Sequence, residues 1–102
     1  MPIKTRISFT VRATQREETR YKDGVVAQAK GTTIYMDWTE EGGGFVQWSK
    51  TMPQSTPFET AEEALEEAKA SDGMPWWNKP DMESLKAIRL TNTASFQHED
   101  VS

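Results

Sequence analysis

Between Phe58 and Gly73 the chain reads FETAEEALEEAKASDG, and both ends and the interior of this segment specify a helix. Thr60 followed three residues later by Glu63 is a capping box. The hydroxyl accepts from an early orphan amide, and the carboxylate reaches back toward the cap's own N–H. Ala61, Ala64, Leu65 and Ala68 recur at helical spacing as one narrow stripe, while Glu62, Glu63, Glu66, Glu67 and Lys69 cover the remaining surface. Gly73 follows the last turn, where a left-handed cap costs least. The spacing predicts a helix over about 60–72. Alanine contributes little transfer energy but lets a backbone lie close to a flat partner, so a β-sheet is expected beneath it.

The rest of the chain supplies that sheet. Ile3, Ile7, Phe9 and Val11 alternate with Lys4, Arg6, Ser8, Thr10 and Arg12, the period of a strand with one face buried. Asp23-Gly24 marks a hairpin turn. VVAQAK and TTIYMDW read as one long strand bent at Gly31, with Ile34, Met36 and Trp38 on one face. TEEGGG makes the next reversal, and FVQWSK returns with Val46 and Trp48 inward. The proline-bearing MPQSTPF then crosses to the helix. SLKAIRLTN is a final strand with Ile88 and Leu90 inward, Asp81 can cap a helical turn just before it, and TASFQHEDVS reads as a polar tail.

With 102 residues, two separate cores would each be too small to hold, so residues 1–93 are expected to form one domain and 94–102 the tail. Only twelve residues are Ile, Leu or Val, but ten aromatics and five methionines supply the missing apolar surface. Cysteine is absent, which removes thiol nucleophiles, thiolate metal sites and disulfides. MPIKTRISF has no apolar leader core. Both features predict a soluble, cytoplasmic protein.

Charge is divided along the chain. Residues 1–35 hold seven Lys/Arg against three Asp/Glu, and residues 36–102 five against thirteen. A nucleic-acid surface would use Lys4, Arg6, Arg12, Arg16 and Arg20, with an aromatic ring for stacking. A protein-binding surface that imitates a phosphate backbone would use Glu62, Glu63, Glu66 and Glu67. Trp76 and Trp77 lie between Pro75 and Pro80. Neighbouring side chains of extended backbone point in opposite directions, so the two are not expected to enter one core together. The structural alternative has one indole in the core and the other over it as a lid, and the expectation for function is that Trp76 and Trp77 are partner-binding anchors.

No catalytic set assembles. His98 is the only histidine and lies in the expected tail, where a general base would not be held. The glycine run has neither a following helix nor the Lys-Ser/Thr of a phosphate loop. Asp37, Glu40 and Glu41 flank that run as the one acid grouping able to serve a hydrolase or a hard cation, but they sit at a hairpin tip where nothing apolar would raise a pKa. No cofactor and no metal are expected.

The run GGGFVQWSKTMPQSTPFETAEEALEEAKA resembles the core of HicB-type antitoxins through Gly43, Gly44, Phe45, Pro53, Thr60, Glu62, Glu63 and Ala64, over about 30 of the 102 residues. The resemblance implies a local β-β-α arrangement and, as one function, an antitoxin or small nucleic-acid-binding module. In size, acidity and lack of cysteine the chain also looks like the accessory proteins that bacteriophages encode against host defence, anti-CRISPR proteins among them. That resemblance implies occupation of a larger partner's surface.

The expected architecture is α+β: an antiparallel sheet of four to six strands with the helix on one face. Its core should hold Ile7, Phe9, Val11, Ile34, Met36, Trp38, Val46, Trp48, Leu65, Ile88 and Leu90. The expected function is non-catalytic binding that inhibits or modulates a larger protein or nucleoprotein complex. An uncovered edge beside the first strand would also admit a homodimer.

Overall fold

The computed structural model describes residues 5–40, 43–72, 78–93 and 95–101. The fold is α+β. Strands β1 (Arg6–Thr14), β4 (Thr33–Thr39), β5 (Phe45–Ser49), β6 (Lys86–Asn92) and β7 (Phe96–Asp100) form an antiparallel sheet in the order β5-β4-β1-β6-β7. A second, two-stranded sheet pairs β2 (Thr19–Arg20) with β3 (Val26–Gln28). Helix α1 (Ala61–Ala70) lies on one face of the larger sheet.

The helix starts where the capping box places it. Thr60 Oγ1 accepts from the Glu63 amide at 3.1 Å, while the Glu63 carboxylate accepts from the Glu59 amide at 3.3 Å, one residue upstream of the expected partner. Ala64 and Ala68 are fully buried against Val11, Ala13, Ile34, Met36, Val46, Trp48 and Phe58, with Phe9, Trp38, Leu65 and Leu85 packed around them. The small side chains let the helix approach, and the apolar area comes from the sheet and from Phe58. Each large side chain enclosed there stabilises the fold by about 1.5–3 kcal/mol.

The crossing between β5 and the helix is bonded to β1. The Phe9 amide donates to the Phe58 carbonyl at 3.0 Å, the Thr56 amide donates to Ser8 Oγ at 3.1 Å, and the Thr56 hydroxyl donates to the Phe9 carbonyl. Beside it, Thr10 Oγ1 donates to the Met36 carbonyl. These bonds explain why Ser8 and Thr10 are buried, where alternation had placed them in water. Ile7 is the corresponding correction, since half of it (50%) is exposed.

Pairing of Val11 with Ala87 and of Thr10 with Ile88 puts Ile88 and Leu90 on the face opposite the helix, and both are nonetheless fully buried. The ion pair between Arg12 on β1 and Asp100 on β7 spans β6 on that face, where Ile88 stands opposite Asp100. His98 lies opposite Leu90 and stacks on Phe96, with ring centroids 5.9 Å apart.

Two other expectations change. The strand anticipated through Gly31 is broken there. Gly31 adopts φ +85°, its amide donates to the Gln15 carbonyl, and the chain leaves the small sheet for the large one. Residues 96–100, anticipated as a fraying tail, form edge strand β7, held by the β6 ladder and by the Arg89–Glu99 and Arg12–Asp100 ion pairs. The Asp23-Gly24 turn joins β2 to β3 as expected, with Gly24 at φ +89°. Asp81 caps a short 3-10 turn over Met82–Ser84, its carboxylate accepting from the Glu83 amide. No helix among the described residues is long and apolar enough to cross a membrane.

Candidate interaction surface

Among the described residues, Arg6, Arg12, Arg16 and Arg20 each bond to groups within the protein. Arg12 makes a two-pronged contact with Asp100, at 2.7 and 3.2 Å. Arg16 reaches Asp72 at 3.4 Å, and Arg20 bonds Glu18 at 2.8 Å and the Gly24 carbonyl at 2.6 Å. Arg6 donates to the Thr56 carbonyl at 3.0 Å, which ties the start of β1 to the crossing segment. Each of these guanidiniums spends donors on the protein itself, which leaves fewer for phosphate. Lys4 lies outside the described residues.

The acidic helix face is arranged differently. Glu62, Glu63, Glu66 and Glu67 are all exposed on α1. Among the described residues the ion pairs join Arg12, Arg16, Arg20, Lys79 and Arg89 to Asp100, Asp72, Glu18, Glu17 and Glu99, and none uses a carboxylate of this face. Glu63 is occupied by the capping bond to Glu59. Glu62 and Glu66, and likewise Glu63 and Glu67, are one turn apart, about 6 Å along the axis. Like charges at that spacing each cost a helix about 0.2–0.5 kcal/mol.

The hydrogen bonds from Arg12 hold the Asp100 carboxyl below its ordinary value of 3.8, outweighing the desolvation that acts the other way, and the charges of Arg12, Lys86 and His98 add to the lowering.

Of the acid grouping at the β4–β5 hairpin, Asp37 and Glu40 are among the described residues. Asp37 accepts from the Trp38 amide at 2.8 Å, Glu40 is exposed beside a polar cleft that also includes Arg6 and Thr56, and Glu41 lies outside the described residues. Among the described residues no cluster of three His, Cys, Asp or Glu side chains is placed to hold a metal ion. His98 is exposed on β7 and stacked on Phe96. Trp76 and Trp77 lie outside the described residues.

A groove of about 500 Å3 opens between the start of α1 and the β6–β7 edge. Hydropathy gave no sign of it, because the strand that forms its outer wall has no apolar periodicity. The available signal was charge, since Arg89 and Glu99 suit each other across two paired strands. A scan against protein-family models, a search of curated proteins and a search of solved structures each found no match to this chain.

Proposed function

We propose that this chain is a non-catalytic binding protein that inhibits or modulates a larger protein or nucleoprotein complex, engaging it through the outer face of α1. What supports this reading is the contrast in how charge is used. Of the bases that sequence singled out, Arg6, Arg12, Arg16 and Arg20 are drawn into internal contacts, whereas Glu62, Glu66 and Glu67 stand exposed with no partner among the described residues. A row of like charges that weakens its own helix complements a cationic groove, such as one that holds nucleic acid. A phage-encoded inhibitor of a CRISPR-type effector, working in the host cytoplasm, is the kind of protein this describes. Trp76 and Trp77 remain in the reading as anchors on sequence grounds alone.

The test is competition. The protein is titrated against a CRISPR surveillance complex while target-DNA binding is followed, in parallel with the variant Glu62→Lys, Glu66→Lys, Glu67→Lys. The wild type should displace DNA and the variant should not, with unchanged melting temperature; equal competition by both sinks the reading. A nucleic-acid module would instead bind oligonucleotides directly, with an affinity that falls steeply with salt and depends on Arg6 and Arg12.

A further inference from the structure

The larger sheet ends in two edge strands, and they are treated differently. On β5 the Asn78 side-chain amide donates to the Trp48 carbonyl at 2.8 Å, an obstruction to any added strand. On β7 the pattern is set by the Val101 amide, which donates to the Ala87 carbonyl at 2.9 Å. Antiparallel ladders alternate, so Glu99 and Gln97 also bond inward to β6, and the main-chain N–H and C=O groups of Phe96, His98 and Asp100 point away from the sheet. Among the described residues nothing bonds to them.

Beside this edge lies the groove described above, on the helix side of β7. Its described lining sets the carboxylates of Glu59, Glu62 and Glu99 against the single guanidinium of Arg89, which Glu99 pairs, so Glu59 and Glu62 leave it net acidic, with Phe9 as part of its apolar surface. A strand laid along β7 would send every second side chain over that groove. We propose that β7 is a docking edge for an extended, cationic segment of a partner protein, which adds as a sixth strand and places Lys or Arg at alternate positions among these carboxylates.

A second copy of the chain fits the edge less well. Antiparallel pairing of two β7 strands about His98 would set the two Glu99 side chains diagonally across the seam, a like-charge juxtaposition. The inference rests on the proposed function in one respect, that an acidic surface meets a cationic partner. It shares only Glu62 with that reading, because Glu66 and Glu67 are not in the groove.

The experiment uses a fluorescein-labelled Thr-Lys-Val-Lys-Val-Lys-Thr peptide and its Glu-for-Lys counterpart, with binding read by anisotropy. Wild-type protein should bind the lysine peptide alone. On binding, the amides of Phe96, His98 and Asp100 should gain hydrogen-exchange protection in 15N spectra. His98→Pro removes one outward N–H at a position where an edge strand tolerates proline, and should weaken binding about tenfold or more. If that variant loses its far-UV circular dichroism, the amide protection in the wild type decides. No binding of the lysine peptide, equal binding of both peptides, unprotected edge amides, or a folded His98→Pro of wild-type affinity each overturns the proposal. So does a dimer in sedimentation that His98→Pro dissolves, which would assign the edge to a second copy. If His98→Pro still competes at the surveillance complex while Glu66→Lys, Glu67→Lys does not, the docking edge falls and the proposed function stands.

Discussion

Gly44 offers a sharp test of the packing. It has φ +93°, and a Cβ placed on it would lie 2.5 Å from Cζ2 of Trp38 and 3.2 Å from Cη2. The indole cannot swing clear at little cost, because it is rigid and its other neighbour is Phe58, held edge-on with centroids 5.9 Å apart. Gly43 has a similar φ of +96° but nothing within 4 Å of the same added atom. Gly43→Ala should therefore cost only the left-handed backbone penalty, about 1–2 kcal/mol. Gly44→Ala should add overpacking of about 1–3 kcal/mol, for a total of about 2–5 kcal/mol. Urea unfolding followed by far-UV circular dichroism measures both, and each kcal/mol should lower the melting temperature by about 4 °C or more in a domain of this size. Combining Gly44→Ala with Trp38→Leu should bring its extra cost down to the Gly43 value. Equal losses from the two single variants, within about 0.5 kcal/mol, would refute the claim that the indole rests on Gly44.

Two further outcomes follow from buried and charged hydrogen bonds. Ser71 Oγ accepts from Trp48 Nε1 at 3.1 Å and donates to the Ala68 carbonyl, so Ser71→Ala strands a buried indole N–H and should cost about 1–3 kcal/mol in the same urea assay. Because the folded state holds the Asp100 carboxyl below 3.8, its stabilising contribution is complete above that value and is lost as pH falls through the folded one. Urea midpoints measured from pH 5 to pH 2 should fall more steeply for the wild type than for Asp100→Asn, and parallel curves would remove the pair from the account of β7.

The helix could be read from sequence because its instructions are local: a cap, a stripe and a charged remainder within one run. The sheet core could be read where alternation coincided with burial, as at Val11, Ile34, Met36, Val46 and Trp48. Alternation failed where polar residues are buried by long-range bonds, as Ser8 and Thr10 are by Thr56 and the Met36 carbonyl, because a period records hydropathy and not partners 48 and 26 residues away. It also missed β7, whose side chains stay mostly in water and whose place is set by a backbone ladder and ion pairs. The acids of α1 could be found in sequence, but the lack of described partners at Glu62, Glu66 and Glu67 could not. That depends on which arginines the fold draws elsewhere.

The stitching of Thr56 and Phe58 to β1 has a bearing on design. It fixes where α1 begins from beneath and from one end, through groups that never reach the outer surface. The helix can therefore be resurfaced at Glu62, Glu66 and Glu67 with neutral or basic residues, the Glu63 cap being kept, without unseating it. In such a scaffold specificity can be rewritten while the foundation stays as it is.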